Sequence, residues 1–518
     1  MTSNASPART IASFFHPASP AIAAVAGAIS VLGFAPFHVS PLPLFTLALL
    51  FWQWSGAATP KQAFKIGWAF GLGFFVTGVS WIYVSLHTFG AMPMPLAALA
   101  TLLFCAFLAL FPAVAAYAVT RSRRSSEVKI LLLAPASWVL VEWIRSWIFT
   151  GFPWNTIGYS QITASPLSGY APVLGIYGVS LVVALMAGCI AVFAARWRES
   201  RAAPRRVAAY LFMSLGVCGF GLKQIVWTTP VGAPTTVSLL QGNVAQDVKW
   251  REDQMRATLD AYAKLITNSD AQLIVLPETA LPLFLHQVPP DYLQAITVHA
   301  KKNNGDVLLG VPERTRDGNY YNTTISLGVS PLQFYRKSHL VPFGEFIPLR
   351  PVLAWIVNIL AIPLQDFSRG SIDQQPLNIA GQRVAVNICY EDVFGEEIIR
   401  QLPQATLLVN MSNVAWFGRS IAPDQHLQIS QARALETGRP MLRATNTGMT
   451  AVINPRGEVE AVASPFTSVA LTHTVRGYEG VTPYVRWGNY AVLLLLAVIL
   501  GVAALMPTLS RERPVNSL

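Results

Sequence analysis

Charged residues are scarce in this sequence of 518 residues. Only 12% of them are Asp, Glu, Lys or Arg, whereas 53% are hydrophobic. A soluble protein of this length would need more charge on its surface, and a disordered chain needs low hydrophobicity and high charge. The composition therefore excludes both classes for most of the chain and predicts an integral membrane protein.

Cysteine is also rare, with four in the whole chain. So few cysteines exclude a fold built on disulfides. Cys105, Cys189 and Cys218 lie in apolar runs, where a thiol is usually a small packing group. Cys389 alone lies in a more polar region, so it lacks a disulfide partner and is the candidate for a reactive thiol.

Several site signals are missing as well. The sequence has no His or Cys pair at zinc spacing, no phosphate-binding glycine loop and no dinucleotide fingerprint, so we expect no metal ion and no cofactor. The net charge of +11 is not a nucleic-acid signal. Acidic and basic residues nearly balance within 226–486, and the excess lies in short loops between apolar runs, which is typical of membrane topology.

Eight apolar stretches approach the roughly 20 residues that a transmembrane helix needs. They centre on Ala21 to Phe34, Pro41 to Trp54, Phe64 to Leu86, Pro95 to Thr120, Ile130 to Ile148, Tyr170 to Ala195, Val207 to Leu222 and Tyr490 to Met506. Alternate loops are basic, including the loop after the sixth stretch and the C-terminal tail, and the others have no Lys or Arg. The positive-inside rule then predicts cytoplasmic termini and an external segment between the last two stretches.

The predicted domains are a membrane domain over residues 1–225, a catalytic domain over 226–486, and a final membrane helix with its tail over 487–518. No cleavable signal peptide is expected, because the first apolar run leads directly into further membrane helices. Within the middle domain, short apolar runs alternate with polar, helix-like segments, which predicts an α/β fold. The predicted helices are Glu252–Ser269 and Gln425–Gly438, and the predicted strands are TTVSLLQG, AQLIVLPE, GDVLLGV, NTTISLG, RVAVNICYE, TLLVNMSN, MLRATN and MTAVINP.

Three chemically useful side chains follow these predicted strands: Glu278, Lys337 and Cys389. A thiol attacks as the thiolate, and its ordinary pKa of about 8.5 leaves little thiolate near neutrality. A glutamate can accept the thiol proton and return it to a leaving group. An ammonium and a backbone N–H, for which we choose Lys337 and the amide of Tyr390, can stabilise the oxyanion of an acyl-transfer intermediate.

The motifs LPET, Y-x-K-x-H-L-V-P-F-G-E and ICYE, in this order, resemble the Glu, Lys and Cys triad of the nitrilase superfamily. With apolar helices on both sides and the segments HLVPFGEFIPLR and SNVAWFG, nearly the whole chain resembles the apolipoprotein N-acyltransferase family. The resemblance implies a four-layer αββα domain on the periplasmic side of a bacterial inner membrane. Eight membrane helices would anchor that domain.

The resemblance also implies roles for single residues. Glu278 would be the base, Lys337 the oxyanion-stabilising cation and Cys389 the nucleophile. Glu345 would support this triad. Tyr390 and Glu391 would shape the pocket and hold Lys337. His339 would have a packing or hydrogen-bonding role, and Trp250 and Trp416 would lie near the acyl-chain entrance.

Some points stay open at this level. Trp250 and Trp416 are equally well explained by packing or interfacial anchoring. Val414 stands where the family's SNDAWFG segment has an Asp, which removes an acceptor near the site. Glu142 and Arg145 are three residues apart, so they share a helix face and form either a structural ion pair or a functional intramembrane site.

The reaction implied by the resemblance is ping-pong acyl transfer. The donor would be a membrane phospholipid, with phosphatidylethanolamine expected, and the acceptor the α-amino group of a diacylglyceryl-cysteine at the start of a lipoprotein. No nucleic-acid partner is expected. One alternative is a membrane-tethered amidase or nitrilase with the same triad, and another is a transporter or lipid-binding module with an inactive outer domain.

Overall fold

The computed structural model of the chain describes residues 19–162, 164–195, 203–347 and 367–507. The basic residues Arg196, Arg198 and Arg201, and Arg511 and Arg513 in the tail, lie outside the described residues. The part of the predicted topology that depends on them stays a prediction.

Apolar helices fill the first part of the chain. Many begin with a proline in their first turn, where the missing N–H has no helical acceptor in any case. Gly27 and Gly73 let two of these helices cross closely, because a Cβ at either would overlap a backbone carbonyl of the other helix. The longer helices are α1 Pro20–Ser30, α2 Leu42–Gly56, α3 Pro60–Gly78, α4 Met94–Leu108, α5 Leu110–Arg121, α6 Ala134–Arg145, α7 Ala171–Ala195 and α8 Ala203–Lys223, and short turns occupy Ile82–Val84 and Ser126–Val128.

Among the described residues, three helices are long and apolar enough to cross a membrane: Met94–Arg121, Pro166–Ala195 and Ala203–Lys223. A fourth crossing is possible if Pro60–Gly78 and Ile82–Phe89, bent by 56°, form one span. The apolar helices Pro20–Gly33 and Tyr490–Leu505 are shorter. The structure therefore confirms a membrane protein with several apolar helices, whereas the predicted eight spans exceed what helix length and composition show.

Two six-stranded sheets form the middle domain. The strands are β1 Thr228–Gln241, β2 Leu273–Val275, β3 Asp306–Arg314, β4 Tyr320–Gly328, β5 Phe334–Arg336, β6 Leu377–Ile379, β7 Gln382–Ile388, β8 Leu407–Ser412, β9 Met441–Thr445, β10 Ala451–Ile453, β11 Val459–Val462 and β12 Val469–Gly480. Their order is β12-β1-β2-β3-β4-β5 in the first sheet and β11-β10-β9-β8-β7-β6 in the second. All eight predicted runs contain a strand, whereas β5, β6, β11 and β12 were not predicted.

The two sheets pack face to face through side chains such as Leu239 and Val409. Helices α9 Glu252–Thr267 and α10 Pro290–Lys302 cover the outer face of the first sheet. Helix α11 Ala422–Thr437, with the short helix Gly395–Ile398, covers the second. The order of layers is thus αββα, as expected for a nitrilase-like domain. The chain continues through the short helix Pro483–Trp487 into the apolar helix α12 Tyr490–Leu505.

Helix α11 joins this domain to the membrane helices, and 14 of its 16 residues are buried. Oε1 of Gln425 accepts hydrogen bonds from the indole N–H groups of Trp81, at 3.2 Å, and Trp154, at 2.7 Å. Oε1 of Glu436 accepts the backbone N–H of Ile176 at 2.7 Å, where α7 is broken by the left-handed Gly175. These buried bonds place the α/β domain directly on the membrane domain.

Candidate active site

Cys389 stands at the end of strand β7, in a sharp turn into the 3₁₀ helix Cys389–Val393. Its φ of +53° lies in the left-handed region, which non-glycine residues rarely occupy. A nucleophile at such a strand-to-helix turn projects from the end of the sheet. Burial raises the pKa of the Cys389 thiol above its usual range, and the Glu278 carboxylate raises it further. The resting group is therefore a thiol that needs a base.

Glu278 lies three residues after strand β2 and is 8% exposed. Its Oε1 accepts the Asn322 amide at 2.7 Å and the Lys337 amine at 3.2 Å, and its Oε2 accepts the Asn413 backbone N–H at 2.9 Å. Burial opposes ionisation here, but Lys337 and the hydrogen bond from Asn322 hold the pKa of Glu278 below its usual value. Glu278 is thus an ionised base, fixed at both oxygens.

Lys337 follows strand β5 and is 1% exposed. Its Nζ lies 3.2 Å from Oε1 of Glu278 and 2.9 Å from Oε1 of Glu345. Burial works against the charge, but the two carboxylates raise the pKa of Lys337 well above its usual value. An ammonium has three N–H donors, so the two carboxylates leave one for a developing oxyanion.

Glu345 is brought into the same cluster from the loop after β5. Besides Lys337, its Oε1 accepts the Asn322 amide at 3.0 Å, and its Oε2 accepts the Val341 backbone N–H at 2.8 Å. Asn322 therefore bridges Glu278 and Glu345. The sequence analysis missed Asn322, whose only signal is a polar side chain within a buried strand.

Glu391 holds the backbone rather than the amine of Lys337, which differs from the role expected for it. Its Oε2 accepts the Ile388 N–H at 2.7 Å, and its Oε1 accepts the N–H groups of Ser338 at 2.6 Å and His339 at 3.0 Å. These groups flank Cys389 on one side and follow Lys337 on the other. Glu391 therefore fixes the distance between strand β7, which ends just before Cys389, and the loop that begins at Lys337.

Tyr390 and His339 lie on the side of the turn that faces the membrane domain. The Tyr390 hydroxyl donates to the carbonyl of Gly151 at 3.1 Å. Tyr390 therefore contacts the loop at 150–169 of that domain, which has no charged residue. His339 stacks on Phe394 with ring centroids 3.7 Å apart, and its Nδ1 lies 3.1 Å from Oε1 of Glu397. Both residues thus pack and bond near the site, outside the carboxylate and lysine cluster.

Val414 and Trp416 lie in the 3₁₀ helix Val414–Phe417, directly after Asn413, and Trp250 follows Lys249 in the chain. Trp416 is half-buried, its carbonyl accepts the Ser85 hydroxyl at 2.8 Å, and its ring meets Phe89 edge to face at 6.3 Å. Trp416 therefore packs on the segment Ile82–Phe89, which follows α3 at a bend. Trp250 is half-buried just before α9, and Val414 is fully buried. Their roles stay predictions.

Lys249, beside Trp250, is a second amine in the site that the sequence analysis did not single out. It is 3% exposed, and its Nζ lies 3.5 Å from the backbone carbonyl oxygen of Glu278. Burial lowers the pKa of Lys249 to about 8, and the charges of Glu278 and Cys389 act in the opposite direction. A lysine in a loop is usually a solvated surface charge, so the sequence held no signal for it.

Glu142 and Arg145 are both buried in α6, but they bond the following loop rather than each other. Nη1 of Arg145 donates to the carbonyl of Trp154 at 2.6 Å, and Oε1 of Glu142 accepts the N–H of Ile157 at 2.8 Å. Gln161, in the same loop, donates to the carbonyl of Ser40 at 2.9 Å. The predicted ion pair is therefore not formed, and both side chains instead hold the loop that meets Tyr390.

The assembled site holds a thiol, an ionised base and a buried ammonium with a free donor, which together suit acyl transfer through a thioester. Among the described residues, no group of His, Cys, Asp and Glu is arranged to hold a metal ion.

Comparison with known proteins covers both parts of the chain. Residues 26–189 match the family model of the apolipoprotein N-acyltransferase N-terminal domain, and residues 236–484 match that of carbon-nitrogen hydrolases. An apolipoprotein N-acyltransferase of Nitrosomonas europaea is 54% identical over 94% of this chain and 97% of its own. The chain belongs to the apolipoprotein N-acyltransferase family.

A second member of the family, from Chromobacterium violaceum, is 47% identical over 92% of this chain and 93% of its own. Among solved structures, a carbon-nitrogen hydrolase from Helicobacter pylori G27 aligns with a TM-score of 0.35 and 14% identity, covering 50% of this chain and 94% of its own. The family models and the two relatives confirm the resemblance inferred from the motifs. They also confirm the expectation of an acyltransferase with a carbon-nitrogen hydrolase domain.

Proposed function

We propose that this protein transfers an acyl chain from a membrane phospholipid, through a thioester on Cys389, to the α-amino group of a diacylglyceryl-cysteine in a lipoprotein. The observation that supports this most is the cluster in which Lys337 lies between Glu278 and Glu345, beside a cysteine in a left-handed turn. Phosphatidylethanolamine is the donor that we propose.

In the first half of the reaction, Glu278 takes the thiol proton as the Cys389 sulfur attacks the sn-1 ester carbonyl. The free N–H of Lys337 and the amide of Tyr390 stabilise the oxyanion. When the intermediate collapses, the C–O bond breaks and Glu278 returns its proton to the leaving lysophospholipid. The acyl chain remains on sulfur as a thioester.

In the second half, the acceptor amine attacks the thioester and Glu278 accepts a proton from the attacking nitrogen. The C–S bond breaks, the amide leaves, and the proton returns to the Cys389 sulfur. Lys337 is almost fully buried, and so dry a cluster favours the amine over water as the attacking group.

We also propose eight membrane crossings in the bacterial inner membrane, with cytoplasmic termini and a periplasmic catalytic domain. The segment before the loop at 150–169 supports the higher count. There Ser126–Val128, the π-helical turn Lys129–Leu133 and α6 follow one another without a gap, and 20 residues of helix extend about 30 Å. Both proposed substrates are lipids that move only within the membrane, which would explain why the site is covalently linked to a membrane domain.

The decisive experiment is intact-mass analysis of the purified protein after incubation with phosphatidylethanolamine in detergent micelles. The wild-type protein should gain the mass of one acyl chain, hydroxylamine should release it, and Cys389→Ala should show no gain. Cys218→Ala, which removes an exposed thiol from an apolar helix, is the matched control and should gain the chain.

Two results would contradict the proposal. One is a wild-type protein that gains no acyl mass, and the other is an acyl chain that is retained by Cys389→Ala. Hydrolysis of a soluble amide without any lipid would favour the amidase alternative instead.

A further inference from the structure

Three polar side chains lie side by side across the central parallel strands of the second sheet. Asn387 on β7 is in register with Asn410 on β8, and Asn410 is in register with Arg443 on β9. Nδ2 of Asn410 donates to Oδ1 of Asn387 at 2.6 Å, and Nη1 of Arg443 donates to Oδ1 of Asn410 at 2.7 Å. We call these three residues the polar ladder. Each side chain is at most 1% exposed. Polar side chains are unusual at such positions, because buried strands of parallel sheets normally carry apolar residues.

The polar ladder reaches the backbone of the nucleophile. Nδ2 of Asn410 also donates to the carbonyl oxygen of Cys389, at 3.1 Å. This carbonyl belongs to the residue with the left-handed φ of +53°. A non-glycine residue keeps such a conformation only where its surroundings fix it, and the bond from Asn410 is one such restraint.

A second arm of the network holds the other end of the same turn. Nη1 of Arg443 lies 3.2 Å from Oδ2 of Asp392, three residues after Cys389. The Ser430 hydroxyl donates to Oδ2 at 2.5 Å, and Nε2 of His426 lies 2.7 Å from Oδ1. Burial opposes the charge of Asp392, but His426 and Arg443 hold its pKa below the usual range. Arg443 therefore faces an ionised partner.

We propose that the polar ladder and Asp392 position the reactive thiol: they hold the turn at Cys389 so that its sulfur faces Glu278. The proposal rests on the proposed function, in which Cys389 is the nucleophile. The ladder's bonds reach the backbone rather than the sulfur, so its members are positioning residues. Stability alone does not account for them, because a buried ion pair can often be replaced by apolar groups without loss of stability.

The test compares Asn410→Leu with the wild-type protein. Leucine has a similar volume and cannot donate to the Cys389 carbonyl. Misplacing a reacting group by about 1 Å slows a reaction about 100-fold, so we expect acyl-enzyme formation from phosphatidylethanolamine micelles to fall by about that factor. The concentration of phospholipid that gives half the maximal rate should not change. Alkylation of Cys389 by iodoacetamide should slow as well, and its pH profile should shift.

Two further variants guard against a simple loss of folding. Asn410→Asp keeps the shape, retains a partner for Arg443 and lacks the N–H donor, so it should show the same defect if Asn410→Leu does not fold. Arg439→Met is the matched control. It removes a buried arginine that bonds the backbone carbonyls of Ala405 and Gly480, and it should alter thermal stability without slowing the folded enzyme.

The proposal is overturned if folded Asn410→Leu and Asn410→Asp acylate and alkylate at the wild-type rate, or if Arg439→Met slows both reactions equally. A wild-type protein that alkylates at Cys389 but never forms an acyl-enzyme would refute the proposed function instead. In that case the alkylation rates of the same variants still decide whether the polar ladder positions the thiol.

Discussion

Acyl-enzyme formation should slow as the pH rises through about 8, because Lys249 loses its charge. Burial lowers the pKa of Lys249 from 10.5 to about 8. About nine-tenths of this amine is then charged at pH 7 and about one-tenth at pH 9. We expect its ammonium, which lies 3.5 Å from the backbone carbonyl oxygen of Glu278, to add favourable positive charge to the site while the oxyanion forms. If only the charged form supports the reaction, the rate falls about tenfold between these two pH values.

Cys389, Glu278 and Lys337 do not titrate in this range. Burial and Glu278 raise the pKa of Cys389, so it remains a thiol. The pKa of Glu278 is held below its usual value and that of Lys337 above it, so both remain ionised. The acceptor's α-amino group does titrate near pH 8. Only the half-reaction with phospholipid, without acceptor, therefore isolates Lys249.

The assay is rapid quenching followed by intact-mass analysis, with phosphatidylethanolamine micelles over this pH range. Lys249→Arg should remove the fall, because a guanidinium keeps its charge throughout. Lys264→Arg makes the same exchange at an exposed position on α9 and should keep the fall. A flat wild-type profile, or an equal fall in Lys249→Arg, would refute the reasoning.

Three further variants test other parts of the structure. Glu345→Gln removes one of the two carboxylates on Lys337, and acyl-enzyme formation should fall about 10-fold to 100-fold at nearly unchanged thermal stability; an unchanged rate would contradict a supporting role. Glu391→Ala leaves three backbone N–H groups without their acceptor, which should lower the free energy of unfolding by about 3 to 5 kcal/mol, seen as earlier thermal unfolding in detergent. Gly175→Ala should lower the thermal midpoint, because it combines a left-handed φ of +68° with overlap of the new Cβ against the Tyr484 ring. A midpoint equal to that of the wild-type protein would show that the contact between α7 and the α/β domain is not tight.

Much of the site could be predicted because its chemistry is local. Glu278, Lys337 and Cys389 each follow a strand, the first two in the first sheet and Cys389 in the second, and the two sheets pack face to face. Asn322 and Lys249 could not be found in this way. Their contacts in the site are with residues from distant segments, and neither stands in a local pattern that distinguishes it from an ordinary polar residue.

The fold shows the same division. Strands buried on both faces read as apolar runs, and all eight such predictions hold. Strands β5, β6, β11 and β12 are partly exposed, so they lack that signal. In the membrane domain the predicted apolar stretches outnumber the described helices that are long and apolar enough to cross, because a proline, a glycine or a bend can divide one apolar run into shorter helices.

The sequence by itself indicated a membrane protein and an α/β middle domain, because composition and the spacing of apolar runs can be read along the chain. Its motifs resemble those of a known family, and that resemblance implied the αββα layering and the roles of Glu278, Lys337 and Cys389. Only the tertiary structure decided that Glu391 bonds backbone rather than Lys337, that Glu142 and Arg145 bond a loop, and that the polar ladder meets the carbonyl of Cys389. Such contacts join residues far apart in the chain, and hydrogen bonds depend on distances of a few tenths of an ångström that only the packed fold sets.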